Sequence, residues 1–307
     1  MPQINLAGRT GWLVAVFMTL LAGCLPVEKN QPASEHHKES AMSDQKVNFK
    51  EVLWYAERAK AAYQSEAEIR RAFPQTVRVA QVAGTDVQYF VEHFPEQNLQ
   101  VVTVRGTDNL ANFKQDAEYL PELNSKLGIR VHRGFDSDTS KLYADLLPHL
   151  DKDMEVKVTG HSLGAAISTL LMMYLHQDGY QLGPSINFGQ PKVTNSEGAK
   201  AWEFLPLLRV VDENDLVPLV PPTTLLDSLH GHYEHFGREV ILLEAEYFVY
   251  LPQHQAMKDS LDSFWNNLGN ESVDEHFMAN YLKNIQPKLT KAIPVDYHKR
   301  EDFVPAG

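Results

Sequence analysis

The sequence predicts an α/β fold in which helices cover both faces of a mainly parallel central sheet. Mostly apolar runs of strand length recur at 99–104, 154–159, 186–188, 207–211 and 240–250, and helical patterns separate several of them, notably at 135–147 and 163–176. Strands alternating with helices indicate parallel strands joined by crossover helices, and near-continuous apolar strands are those covered on both faces. The composition agrees. A chain of 307 residues, 43% hydrophobic and 22% charged, has ample length to bury one large core and is neither collagen-like nor wholly disordered.

In chain order, residues 1–23 carry one charge, Arg9, followed by an apolar run from Trp12 to Leu21. A positive start before a short apolar stretch is the layout of an export signal. The stretch 11–23 is too short to cross a bilayer core of ~30 Å, which takes ~20 helical residues. It ends Leu21-Ala22-Gly23-Cys24, and Cys24 is the only cysteine of the chain. This resembles the bacterial lipoprotein signal, in which cleavage leaves an acylated cysteine at the new N-terminus. The resemblance implies lipidation of Cys24 and a membrane-anchored, exported protein. Leu25 stands where an aspartate often signals retention at the inner membrane, so the outer membrane is the expected location. Without residues 1–23 the chain keeps 27 Lys+Arg against 40 Asp+Glu, a formal charge of −13. Attachment therefore falls to the lipid, since two or more acyl chains anchor a protein stably and one does so only marginally. Residues 24–45 are polar and without periodicity, a flexible tether in which His36-His37 reads as solvated rather than as a metal site.

The body is expected to occupy 46–307 as one domain, with no internal repeat and no second break in composition. Phe49, Val52, Leu53, Ala56 and Ala59 fall at helical spacing, which predicts a helix to about Gln64. Runs at 76–82 and 87–93 alternate around Ala83-Gly84-Thr85-Asp86, a hairpin pattern.

The strand at 154–159 leads straight into Gly160-His161-Ser162-Leu163-Gly164, and Ala165-Ala166 open an apolar helical stretch. G-x-S-x-G between strand and helix is a nucleophile elbow, a tight turn that strains the serine backbone and demands small neighbours. Four blocks in order surround this reading: Val104-Arg105-Gly106-Thr107, His132-Arg133-Gly134-Phe135, the elbow, and Phe188-Gly189-Gln190-Pro191-Lys192-Val193. A fifth is Arg209-Val210-Val211-Asp212-Glu213-Asn214-Asp215-Leu216-Val217-Pro218, followed by Pro221-Pro222. Together they resemble the class 3, fungal-type lipase family of the α/β-hydrolases. The match covers about 100–225 and continues more weakly to about 283.

A serine hydroxyl becomes a nucleophile near neutral pH when a histidine takes its proton and a carboxylate orients that histidine. In α/β-hydrolases the acid and then the histidine follow the serine in the chain. Asp212 and Asp215 both stand after the 207–211 strand, and His230, His232, His235, His254 and His276 all follow. The resemblance implies Asp215, which immediately precedes x-Val-Pro, with Asp212 as a loop cap. It likewise implies His276, in a block with Asp274, Glu275 and Tyr281, and leaves His235-Phe236-Gly237-Arg238-Glu239 as a structural feature before a strand. Glu275 replaces the usual adjacent aspartate of that block. The oxyanion donors implied are Leu163, through the N–H after the nucleophile, and Thr107.

In 108–130, Leu110, Phe113, Ala117 and Leu120 form one apolar stripe at spacings of 3, 4 and 3. The resemblance makes this segment a lid, with Leu110, Phe113 and Leu120 toward substrate; an ordinary surface helix fits the same stripe. A lid predicts that Phe113→Asp weakens activity on emulsions far more than on soluble esters, whereas equal losses identify a permanently packed helix.

Overall, the sequence implies a serine carboxylic-ester hydrolase acting on lipid esters at an interface, with phospholipase A1 as the near alternative. A non-catalytic surface lipoprotein that keeps the fold is the remote one. No metal or organic cofactor is needed by this chemistry. A net charge of −12 argues against a nucleic-acid partner. Oligomeric state and acyl-chain preference are not encoded in these patterns.

Overall fold

In the computed structural model, residues 47–107, 121–221, 232–253 and 276–303 are described. Helix α1 (Phe49–Ala61) begins at Asn48, whose side chain accepts the Glu51 N–H, and buries Phe49, Val52, Tyr55, Ala56 and Ala59 along one face. A short helix, α2 (Glu66–Ala72), follows. Its capping box is complete: Ser65 Oγ accepts the Glu68 N–H and the Glu68 carboxylate accepts the Ser65 N–H. The expected hairpin forms as β1 (Thr76–Gln81) and β2 (Gln88–Phe94), paired antiparallel from Gln81↔Gln88 outward. Strand β3 (Leu99–Val104) returns antiparallel to β2 and pairs in parallel with β6 (Glu155–Gly160).

Beyond β6 the sheet continues through β7 (Ser185–Phe188), β9 (Leu207–Asp212), β11 (Arg238–Leu242), β12 (Tyr247–Leu251) and β13 (Ile293–Pro294). The seam between β6 and β7 is parallel but knitted partly by side chains. Ser185 Oγ accepts the Val158 N–H at 3.0 Å and donates to Gly183 O, while the Thr159 hydroxyl donates to Ile186 O at 2.6 Å. The hydroxyls thus satisfy buried polar groups that an unbroken ladder would have paired.

Helices lie on both faces of this sheet, because alternate strand residues point opposite ways. On one face, α3 (Arg133–Leu146) packs on α4 (Leu163–Gln177), and Leu142, Leu146, Leu170 and Leu171 join Val102, Val104, Val156 and Val158 in one core. Residues 164–175 are buried all round, as the nearly continuous apolar sequence of α4 requires. On the other face, α1 and α6 (Met278–Ile285) bury Phe49, Tyr55 and Tyr281 against Ile186, Phe188, Val210, Val240 and Leu242.

Two readings of the sequence need correction. The run at 240–250 is not one strand but the β11–β12 hairpin, in register from Glu239↔Leu251 to Leu242↔Phe248. Glu244 and Glu246 interrupt the apolar run, and Ala245 takes a left-handed φ of 51°. The sequence reading also passed over a small antiparallel sheet ordered β10 (Tyr233–Glu234), β8 (Thr194–Asn195), β5 (Ile129–His132) and β4 (Pro121–Asn124). Helix α5 (Ser196–Ala201) begins directly after β8 and takes its cap from Asn195. Among the described residues no helix is long and apolar enough to cross a membrane.

Candidate active site

The elbow forms where β6 runs into α4. Ser162 occupies a strained conformation, φ 59° and ψ −128°, that a non-glycine residue keeps only when its surroundings impose it, at ~1–3 kcal/mol. The surroundings here are backbone. A Cβ on Gly160 would strike the Gly164 carbonyl group, and one on Gly164 would lie 2.7 Å from the Arg105 carbonyl carbon. Two glycines therefore let strand, turn and helix meet closely enough to lift the serine out of the sheet. Ser162 is fully buried and its Oγ has no hydrogen-bond partner among the described residues.

Asp215 and His276 meet next to the elbow, whose His161 ring centroid lies 4.4 Å from that of His276. Asp215 follows β9 and His276 immediately precedes Phe277, the cap of α6, and His276 Nδ1 lies 2.7 Å from Asp215 Oδ2. The Tyr281 hydroxyl donates to the same oxygen at 2.5 Å, and the Val217 N–H donates to Oδ1 at 2.9 Å. Burial pushes the Asp215 carboxyl up, but His276, Tyr281 and the Val217 N–H together hold it below the ordinary carboxylate range. Asp215 is thus an ionised acceptor, so Nδ1 of His276 carries the proton that faces it, and Nε2 is the ring nitrogen turned away from the acid. Nε2 is buried and has no partner among the described residues. The two atoms that a serine–histidine proton transfer would join, Ser162 Oγ and His276 Nε2, thus both lack another partner among the described residues.

Leu163 is the first residue of α4. In this turn Gly164 N–H donates to His161 O and Ala165 N–H to Ser162 O, whereas no backbone acceptor takes the Leu163 N–H among the described residues. Thr107 follows Gly106, where a Cβ would lie 3.1 Å from Ser162 Cβ, so β3 delivers Thr107 beside the elbow.

The rival acid and histidines are occupied elsewhere. Asp212 accepts from Asn284 Nδ2 at 2.6 Å. His235 Nε2 donates to Pro218 O at 2.6 Å, and burial, then Arg209 and Lys192, pull its imidazole well below the ordinary value. His232 pairs with Glu234. Among the described residues no group of three His, Cys, Asp or Glu side chains is arranged to hold a metal ion. Cys24, Leu110, Phe113 and Leu120, and with them His230 and His254, lie outside the described residues.

Sequence reasoning missed two contributors. His161, inside the elbow motif, bonds through Nε2 to His276 O at 2.7 Å and through Nδ1 to Tyr63 OH at 2.8 Å. The motif contains His161 but gives it no role, and Tyr63, 98 residues earlier, carries no sequence signal at all.

Residues 101–225 match the family model for lipase (class 3). The chain is 30% identical over 151 residues to a lipase of Rhizopus niveus, an alignment covering 45% of this chain and 38% of that enzyme. It is 33% identical over 94 residues to phospholipase A1-II 1 of Oryza sativa subsp. indica, covering 29% of this chain and 23% of the rice protein. In structure, a lipase of Rhizopus microsporus var. chinensis superposes with a TM-score of 0.61 at 25% identity, covering 74% of this chain and 85% of the other. The chain thus aligns with about two fifths of the Rhizopus niveus sequence but with most of the fungal fold. Residues 101–225, which take in most of β3, the elbow and Asp215, match the class 3 lipase pattern, and the body around them has the α/β-hydrolase fold.

Proposed function

We propose that this protein is a serine hydrolase of lipid carboxylic esters, of the acylglycerol lipase type, working through an acyl-enzyme on Ser162. The observation that carries the reading is the buried Asp215–His276 pair together with a strained serine whose Oγ has no partner among the described residues. In the reaction, His276 Nε2 takes the Ser162 proton as Oγ bonds to the ester carbonyl carbon. The negative charge moves to the carbonyl oxygen, stabilised by the N–H groups of Leu163 and Thr107; losing one such donor costs ~3 kcal/mol of barrier. Collapse breaks the bond to the alcohol oxygen, which leaves with the proton from His276. Water, deprotonated by the same Nε2, then releases the carboxylic acid and restores the serine. Asp215 stays ionised throughout and stabilises the imidazolium.

The second reading is phospholipase A1 activity, favoured by the likeness to the rice phospholipase. Fatty-acid release by protein lacking residues 1–24, from mixed micelles of triacylglycerol and phosphatidylcholine, separates the two, with Ser162→Ala as the blank. Acid mainly from triacylglycerol supports the lipase, and acid mainly from phosphatidylcholine supports the phospholipase. No release above the blank removes both and leaves a binding module or a hydrolase of small esters.

The same reading includes export and lipidation at Cys24, supported by its position at the end of the apolar run 11–23. Cys24→Ala is expected to move the protein from the membrane to the soluble fraction; unchanged membrane association removes the anchor.

A further inference from the structure

We propose that His161, held as its Nε2–H tautomer by the Tyr63 hydroxyl, is a positioning residue that fixes the main chain of His276 relative to the elbow. The proposal rests on reading Ser162, His276 and Asp215 as the reacting set.

The tautomer follows from the partners. Nε2 lies 2.7 Å from the His276 carbonyl oxygen, which can only accept, so Nε2 carries the proton. Burial, then His276 itself, pulls the His161 imidazole down to about 3, so the ring is neutral and Nδ1 holds a lone pair. That lone pair faces Tyr63 OH at 2.8 Å, and the hydroxyl therefore donates. The phenol thus stabilises the one tautomer able to hold the His276 carbonyl.

His276 needs such a hold. It precedes α6, whose first turn uses the Phe277 carbonyl, taking the Asn280 N–H at 2.8 Å. The His276 carbonyl stands just outside that helix, and His161 takes it from 115 residues away. The two imidazoles also face each other, with centroids 4.4 Å apart and planes inclined by 33°. Because His161 is covalently next to Ser162, one side chain joins the nucleophile's turn to the base's backbone. Neutrality matters as well: a second cation at that separation would oppose the imidazolium that His276 becomes in each half-reaction. The groups around the ring are Tyr63, His276 and, 5.9 Å away edge-on, Tyr281, with Asp215 acting through space.

Two amides discriminate the role. In His161→Gln the amide nitrogen reaches the Nε2 position and can still donate to His276 O. In His161→Asn it reaches only the Nδ1 position, beside Tyr63. On a soluble ester, His161→Asn is expected to lower kcat about a hundred-fold with KM nearly unchanged, as for a misplaced base, and His161→Gln to stay within about ten-fold of the parent. Equal losses in both amides overturn the proposal and make His161 a packing residue. In ¹⁵N-histidine-labelled protein, His161 is expected to be protonated on Nε2 alone through neutral pH, and Tyr63→Phe to move the Nδ1 resonance downfield as its lone pair loses the phenol donor. A proton on Nδ1 in the parent overturns the proposal, as does an Nδ1 resonance unchanged in Tyr63→Phe. The nuclear magnetic resonance readout decides where the amide variants do not fold. If the parent protein releases no acid above Ser162→Ala, the hydrolase reading fails, and the tautomer measurement still decides whether Tyr63 and His161 hold His276 as proposed.

Discussion

Gly189 lies directly against His276: a Cβ there would sit 2.7 Å from Cε1 of the imidazole and 2.9 Å from Oδ2 of Asp215. The residue also adopts φ +53°, while its N–H donates to Val210 O at 3.0 Å. Backbone conformation and space both call for glycine at the end of β7. Gly189→Ala is expected to lower kcat on a soluble ester by about a hundred-fold or more, since displacing a catalytic group by ~1 Å costs that much. The left-handed penalty of ~1–2 kcal/mol should also lower Tm by several degrees. Steady-state kinetics and a thermal melt check the two effects separately; full activity in a destabilised variant would mean that the His276–Asp215 pair moves aside without loss.

Tyr281, fully buried, is the second donor on Asp215 Oδ2. Its hydroxyl is held well above its ordinary pKa by burial, then by Asp215 and Asp212, so it is always a donor. Tyr281→Phe keeps the ring and removes that donor. The expected loss in kcat is about ten-fold, with KM little changed. The acid side of stability also shifts in a defined direction. Asp215 titrates below its unfolded value, so its contribution is present above that value and is lost as pH falls through the folded one. Without the hydroxyl the folded pKa rises, and acid unfolding is expected to begin at higher pH. Melting curves taken from neutral pH downward test this.

Glu213 carries the opposite sign. It sits after β9, mostly but not fully buried, with Arg300 Nε 2.8 Å from its carboxylate. Burial pushes its pKa up to about 7, with Arg300 only partly offsetting it. A carboxyl whose folded pKa is raised stays protonated in the folded state after the unfolded chain has ionised. Stability is therefore highest below the unfolded value near 4.5 and falls as pH rises to about 7, by an amount on the order of 3 kcal/mol. Glu213→Gln is expected to remove this decline, so parent and variant melts should converge at low pH and separate by neutral pH. Parallel melting profiles would show that Arg300 compensates the charge fully.

Legibility in the sequence followed the range of the interactions. Strand β3 and the β6–α4 elbow are local patterns, apolar runs and glycine spacing, and their positions agree with the sequence to within a residue. The Asp215–His276 contact joins residues 61 apart, and periodicity offered Asp212 equally; only the family-like x-Val-Pro context separated the two. The difference in three dimensions is concrete, since Asn284 occupies Asp212 while Asp215 faces His276 and Tyr281. The sequence reading passed over helix α2, which has one buried residue, Ile69, too few for an apolar period. Strands β8 and β10 span two residues each and are made by their partners, so no window along the chain could expose them.

The ion pair that ties α1 to β2 gives a prediction with two arms. Arg58 and Glu92 are both buried and meet through two bonds, Nε to Oε2 at 2.7 Å and Nη2 to Oε1 at 3.0 Å, with the guanidinium 3.4 Å above the Trp54 ring. Burial alone would push the Glu92 carboxyl up; Arg58 opposes this without cancelling it. Arg58→Met removes the partner of a charge that cannot reach water, at an expected cost of ~3–5 kcal/mol. The double variant Arg58→Met, Glu92→Met leaves no charge behind and fills similar volume, so it should recover most of that loss. Denaturant unfolding of the parent, both single variants and the double variant closes the cycle. A double variant as unstable as Arg58→Met would assign the cost to the arginine's stacking on Trp54 rather than to the abandoned carboxylate.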